Sequence, residues 1–196
     1  MPKTTLAQLV SRLPKSSIHG SADTAISGIT HDSRAVTPGS LFICLKGASH
    51  DGHQYAKVAI DAGAAALVVN DEAFASLSSE LPEKFPVIVV PNTRVALPQI
   101  ACAFYDDPGQ KLIMVGVTGT NGKTTSALML AAILRASGLK VGTIGTLGAE
   151  VDGTPLASDH TTPESDHLQA LLDDMVHMGA QAVVMEVSSQ APFSLL

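Results

Sequence analysis

Gly116-Val-Thr-Gly-Thr-Asn-Gly-Lys-Thr-Thr125 is a glycine-rich loop set between an apolar run and a helical pattern. Leu112 to Val117 is short, apolar and β-branched enough for a buried strand. Ser126 to Ser137 carries Leu128, Ala131, Ala132 and Leu134 at helical spacing. A strand, a glycine-rich loop and a helix therefore occur in that order. The amide hydrogens left free at a helix N-terminus, together with the helix dipole, attract phosphate oxygens without a charged side chain. Gly119 and Gly122 allow Thr120, Asn121 and their neighbours to aim backbone amides inward, with Thr125 in the first helical turn. Lys123 can reach terminal phosphates and the Thr124 hydroxyl can ligate magnesium. The loop departs from the strict P-loop spacing. Val117 stands where that pattern puts its first glycine, which here is Gly116. A Gly/Thr turn without a ligand is the plain alternative, and Gly-Lys-Thr at a strand-to-helix junction argues against it.

Moving outward, the segments beyond the loop continue a strand and helix alternation. Leu112 to Val117, Thr124 to Ser137, Lys140 to Ile144, Glu164 to Met178 and Ala182 to Val187 imply crossover connections and a parallel sheet. Thr162 reads as an N-cap with Pro163 at the first helical position, ahead of Leu168, Leu171, Leu172 and Met175 on one face. Gly142, Gly145 and Gly148 do not have the dinucleotide-binding spacing and read as a bent strand or tight loop. Val183-Val-Met-Glu-Val-Ser-Ser189 places Glu186 near the end of an apolar strand. An unpaired carboxylate buried there costs about several kcal/mol unless it meets a cation or changes protonation. Magnesium beside Thr124 is the cation that the pattern suggests, with a salt bridge as the plainer partner.

The first hundred residues are organised differently. Thr5 to Leu13 is a short amphipathic helix ended by Pro14. Ala25 to Thr30, Leu41 to Leu45, Ala65 to Val69 and Pro86 to Val90 read as strands. Tyr55 to Ala62 and Val95 to Phe104 read as helices. The turn Tyr105-Asp-Asp-Pro-Gly109 marks a domain boundary, giving domains at residues 1–108 and 109–196. Two polar loops, His31-Asp-Ser-Arg34 and Gly47-Ala-Ser-His-Asp-Gly52, sit beside apolar strands. By composition alone the first is an Asx-type turn with a solvated arginine.

Composition bounds the function. The 196 residues are 45% hydrophobic and 15% charged, enough for a core, and the net charge of -6 leaves no electrostatic footprint for nucleic acid or an anionic membrane. Cys44 and Cys102, each in an apolar stretch, read as core thiols in a reducing compartment, and the start of the chain has no signal-peptide pattern, so the cytoplasm is expected. The seven histidines are scattered without the paired spacing of a metal site, and most are expected to be solvated.

Thr118-Gly-Thr-Asn-Gly-Lys-Thr-Thr125 resembles the ATP loop of the Mur ligases and their folylpolyglutamate synthetase relatives. Asp32-Ser-Arg34 with the later Gly47-Ala-Ser-His-Asp-Gly52 is similar to the MurE type, which adds the third amino acid of the peptidoglycan stem peptide. The Asp-Ser-Arg segment tells against the folate enzyme. The resemblance implies an α/β chain in which a small N-terminal domain holds a UDP-linked substrate. An incomplete P-loop-type ATPase domain with ATP and Mg2+ comes after it. It implies an ATP-binding set of Gly119, Thr120, Asn121, Gly122, Lys123, Thr124 and Thr125, with Lys123, Thr124 and Glu186 catalytic and Thr124 and Glu186 on the metal. His31, Ser33, Ala48, Ser49 and His50 would line the uridine-diphosphate site, and His160, Thr161, Thr162 and Ser188 would touch the UDP-muramoyl dipeptide. His160 stands where asparagine is usual and Gln190 where histidine is usual. The reaction implied is phosphorylation of a D-glutamyl carboxylate by ATP and displacement of phosphate by diaminopimelate or lysine. The family's later lysine and amino-acid domain have no counterpart before Leu196, so a truncated chain that binds nucleotide without forming amide is expected. A stand-alone nucleotide-binding module and another Mur-type ligase or folylpolyglutamate synthetase are the alternatives.

Overall fold

The computed structural model describes residues 4–47, 50–157 and 163–188. The chain divides into two compact units, Met1–Phe104 and Tyr105–Leu196.

The first unit begins with strand β1 (Thr4–Thr5) and helix α1 (Leu6–Val10). Thr5 and Gln8 form a reciprocal capping box at the start of α1. The helix is shorter than its apolar pattern, which runs on to the buried Leu13. Next come strands β2 (Ser17–His19), β3 (Ala25–Ile26), β4 (Gly28–Thr30) and β5 (Ser40–Ile43), the expected Ala25 to Thr30 strand being split at Ser27. Helix α2 (Ala56–Asp61) is entered through a 3-10 turn, Gly52–Tyr55. Strand β6 (Ala66–Asn70), helix α3 (Asp71–Leu77), strand β7 (Val87–Val90) and helix α4 (Thr93–Phe104) complete the unit.

Its five-stranded sheet has the order β2-β7-β6-β5-β4, parallel throughout except for β2 against β7. Parallel strands covered on both faces are apolar at consecutive positions, as Leu41-Phe-Ile43 and Val87-Ile-Val-Val90 are. Phe42, Leu67, Val87 and Val89 pack with Ala56 and Ala59 of α2. Strands β1 and β2 and helix α3 carry little sequence signal and were not expected. Strand β2 has a single apolar residue, Ile18, and α3 is a short helix whose start is held by Asn70, which accepts from the Ala73 amide at 2.8 Å. Cys44 is fully buried, whereas Cys102 is only partly so, which corrects the expectation of two core thiols.

The second unit contains β8 (Ile113–Val117), α5 (Lys123–Ala136), β9 (Val141–Gly145), β10 (Gly148–Val151), β11 (Thr154–Leu156), α6 (Ser165–His177) and β12 (Ala182–Glu186). The sheet order is β11-β10-β9-β12-β8. Strands β9, β12 and β8 are parallel, but β10 and β11 add to β9 as antiparallel strands, so the sheet is mixed where a parallel one was expected. The β10-β11 turn is Asp152-Gly153, both with positive φ (45° and 82°), the geometry that a two-residue hairpin demands.

Successive residues of a strand face opposite sides, and β12 is packed accordingly. Val183 and Met185 pack against Leu168, Leu171, Leu172 and Met175 of α6. Ala182 and Val184 pack against Ala127 and Ala131 of α5. Glu186 shares the parity of Ala182 and Val184, which sends its side chain to the α5 side. The buried stripe of α5 is built from alanines, while Leu128 is 45% exposed, contrary to its place in the expected apolar face. Strand β8 is an edge of the sheet among the described residues and is partly exposed, not buried as its composition suggested. Arg135 of α5 forks to Glu150 (2.9 Å) and Asp152 (3.0 Å), tying the β9-β10 hairpin to the helix. Helix α6 begins at Ser165 with Glu164 as its N-cap and no side-chain cap, so it starts later than a Thr162 cap requires.

Candidate functional site

The loop between β8 and α5 turns through Gly119 (φ +150°) and Gly122 (φ +76°). A Cβ on Gly122 would meet nothing within 4 Å, so backbone conformation rather than crowding calls for glycine there. Gly122 is the N-cap of α5 and makes no side-chain cap, which leaves the amides of the first turn available to an anion. The Lys123 ammonium donates to the Gly119 carbonyl at 2.8 Å and folds back over the loop. Gly119, Thr120, Asn121, Gly122 and Thr125 are exposed, and Lys123 and Thr124 are half-buried.

Thr124, one residue into α5, donates its hydroxyl to Glu186 Oε2 at 3.0 Å, across 62 residues of sequence. Glu186 closes β12 at the carboxyl end of the parallel strands and is 3% exposed. The structure thus brings together the hydroxyl and carboxylate that were expected to share a metal. Sequence reasoning missed a third residue, Thr146, in the turn between β9 and β10. Its amide donates to Glu186 Oε1 at 3.0 Å and its hydroxyl to Oε2 at 3.2 Å. No local pattern marks it, because the contact spans 40 residues. The hollow beside these groups is lined by Ala127, Leu128, Thr143, Ile144, Leu147 and Val184.

In the first unit, Asp32 caps a 3-10 turn, Ser33–Ala35, by accepting from the Arg34 amide at 2.9 Å. The Arg34 guanidinium forks onto the same carboxylate, at 2.9 Å from Nε and 2.7 Å from Nη2. Hydrogen bonds from the Arg34 side chain and then its amide hold the Asp32 carboxyl down at about 2. The turn is the one composition favours, but its arginine is paired. His31 and Ser33 flank it, both half-buried.

The second loop is closed by Gly52 donating to the Leu45 carbonyl at 2.8 Å and Gly47 to the His50 carbonyl at 2.9 Å. Asp51 accepts from the amide of His53 and contacts its ring Nδ1, while the Asn70 amide donates to Nε2 at 3.3 Å. His53 is therefore a buried structural histidine, unlike the solvated ones expected. His50 is exposed. Ala48, Ser49, His160, Thr161, Thr162 and Gln190 lie outside the described residues. Ser188, just past β12, is half-buried. Among the described residues no helix is long and apolar enough to cross a membrane.

Two family models match the chain. "Mur ligase family, catalytic domain" covers residues 25–105 and "Mur ligase middle domain" covers residues 117–193. A UDP-N-acetylmuramoyl-L-alanyl-D-glutamate–2,6-diaminopimelate ligase of Geobacillus thermodenitrificans is 42% identical over 95% of this chain and 36% of its own length. A UDP-N-acetylmuramyl-tripeptide synthetase of Roseiflexus is 42% identical over 85% of this chain and 32% of its own. The chain thus spans about a third of the length of these relatives. A solved structure of a UDP-N-acetylmuramoyl-L-alanyl-D-glutamate–2,6-diaminopimelate ligase superposes with a TM-score of 0.73, at 23% identity, over 95% of this chain and 36% of that one. A MurF ligase from Thermotoga maritima, solved in complex with ADP, gives 0.56 at 22% identity over 86% of this chain and 33% of that one.

Proposed function

The chain belongs to the Mur ligase family, and from that premise we propose that it supplies the ATP-binding and UDP-substrate-binding parts of a MurE-type ligase. The reaction is ATP-dependent addition of diaminopimelate, or lysine, to UDP-N-acetylmuramoyl-L-alanyl-D-glutamate in the cytoplasm. The observation that carries the reading is the 3.0 Å hydrogen bond between Thr124 and Glu186, set where a phosphate-binding loop meets the carboxyl ends of parallel strands.

In this reading the amides of residues 119–125 grip the phosphates, and Lys123 swings from the Gly119 carbonyl onto the terminal phosphate. The hydroxyl of Thr124 and carboxylate of Glu186 are hard oxygen donors of the kind magnesium takes, which fits them to hold it. Magnesium bound there would neutralise charge developing on the transferred phosphate. The D-glutamyl carboxylate takes the γ-phosphoryl group from ATP, ADP leaves, and the incoming amine displaces phosphate from the acyl phosphate to form the amide. His31, Ser33, Ala48, Ser49 and His50 serve the uridine end in the first unit. His160, Thr161, Thr162 and Ser188 serve the substrate in the second.

Isothermal titration of the full chain with AMP-PNP, with and without magnesium, and separately with the UDP-muramoyl dipeptide tests the proposal. Magnesium-dependent nucleotide binding together with dipeptide binding is expected. A chain that is folded yet binds neither would overturn it.

A further inference from the structure

We propose that Thr146 is a positioning residue that holds the Glu186 carboxylate toward Thr124, and that Gly145 is glycine to make room for it. The inference rests on the nucleotide and magnesium site proposed above and deepens it.

The two carboxylate oxygens of Glu186 have different partners. Oε1 accepts from the backbone amide of Thr146 at 3.0 Å. Oε2 accepts from the Thr146 hydroxyl at 3.2 Å and from Thr124 at 3.0 Å. A glutamate has three side-chain torsions, and tethering both oxygens to one turn removes most of that freedom before any ligand arrives. The tether leaves Oε2 as the oxygen that faces the α5 N-terminus.

Space is part of the same device. A Cβ on Gly145 would lie 2.8 Å from Glu186 Cδ and 2.9 Å from Cγ, closer than such carbons approach one another. Any larger residue at 145 would push the carboxylate off its amide. The turn itself is anchored, since Gly145 and Gly148 end paired strands and the hairpin is pinned to α5 through Arg135. Outer hydrogen-bond partners of metal-holding groups are worth about 10–100-fold in metal affinity. The Thr146 hydroxyl should sit near the low end, because the amide bond survives its removal.

The test titrates magnesium into the full chain at a fixed AMP-PNP concentration, monitoring nucleotide binding in wild type, Thr146→Val, Thr146→Ser and Gly145→Ala. Thr146→Val should raise the magnesium needed for half-maximal binding about tenfold, and Thr146→Ser should restore it. Gly145→Ala should lose more than Thr146→Val. Wild-type-like magnesium dependence in Thr146→Val, with wild type itself binding normally, overturns this role and leaves the proposed function standing. Failure of wild type to bind nucleotide with magnesium overturns both. Hydrogen exchange in the ligand-free protein gives a readout that needs no nucleotide. The Thr146 amide should exchange slowly in wild type and fast in Glu186→Ala. Equal rates in the two would overturn the tether, whatever the titrations show.

Discussion

Replacing Glu186 with glutamine should separate what this side chain does for the fold from what it does for the ligand. The carboxylate is 3% exposed and accepts hydrogen bonds from the Thr124 hydroxyl and from the amide and hydroxyl of Thr146. A hydrogen bond to a charged acceptor contributes about 1.5–3 kcal/mol against about 0.5–1.5 for a neutral one, so glutamine forfeits roughly 1 kcal/mol or more at each. Against that stands the effective cost of burying an ionised carboxylate, about several kcal/mol, which glutamine removes. The two effects nearly cancel. The amide oxygen can keep the Thr146 amide, and both threonine hydroxyls can turn to accept from the new NH2 group. Glu186→Gln should therefore change ligand-free stability by no more than about 1 kcal/mol. Glu186→Ala, which strands these donors, should cost about 1–3 kcal/mol.

The ligand response should be opposite in character. If the proposed site takes nucleotide, a concentration about 100 times Kd should stabilise the wild-type fold by about 2.7 kcal/mol. For a unit the size of Tyr105–Leu196 this is a rise in Tm of roughly 10–20 °C. The magnesium-dependent part of that rise should vanish in Glu186→Gln. Thermal melts by circular dichroism, with and without magnesium and AMP-PNP, measure both quantities together. Retention of the full magnesium-dependent shift in Glu186→Gln would show that the carboxylate does not hold the metal, and ligand-free destabilisation equal to that of Glu186→Ala would show that the fold needs its charge.

Three further outcomes test other parts of the structure. Arg34 holds the folded Asp32 carboxyl at about 2, below its unfolded value of about 3.9, so this pair's stabilisation is complete above pH about 4 and is lost as pH falls through about 2. A carboxyl-detected NMR titration should find that midpoint and Arg34→Ala should raise it, whereas a wild-type midpoint near 4 would contradict the pairing. Burial, helped by the nearby Asp51 charge, pushes the Cys44 thiol up to about 12. Cys44 should therefore resist iodoacetamide at pH 8 until the chain unfolds, as peptide mass spectrometry can show; rapid native labelling would count against it. A Cβ at position 52 would lie 2.7 Å from both the amide nitrogen and the carbonyl oxygen of Leu45. Gly52→Ala should cost about 1–3 kcal/mol in urea denaturation, and unchanged stability would mean that Gly52 is not closely packed against Leu45.

Most of the second unit was legible because its signals are local. Apolar runs rich in β-branched residues became β8, β9 and β12, each within a residue or two of its expected ends. Glu186 stood out as a charge in an apolar strand, and strand parity alone then sends it to the α5 side. The β10-β11 hairpin escaped although Asp152-Gly153 is a strong turn signal, because Ala149 and Val151 are too few to announce a strand. Strand β2 escaped for the same reason, its single apolar residue being paired by β7 from a distant part of the chain. Leu128 misled because periodicity reports which residues are apolar. It does not report that Ala127 and Ala131 are the ones small enough to seat α5 on the sheet. Thr146 had no signal at all, since a threonine in a turn acquires its role only when β9 and β12 pair side by side.

In the proposed complex the amides of residues 119–125 cradle a triphosphate whose magnesium would be held by Thr124 and Glu186. A crystal structure of the full chain with magnesium and AMP-PNP tests it most directly. It should show phosphate oxygens on those amides, Lys123 moved off the Gly119 carbonyl, and a metal in contact with Thr124 Oγ1 and Glu186 Oε2. Nucleotide bound elsewhere, or a Glu186 carboxylate that turns away from the metal, would rule this site out.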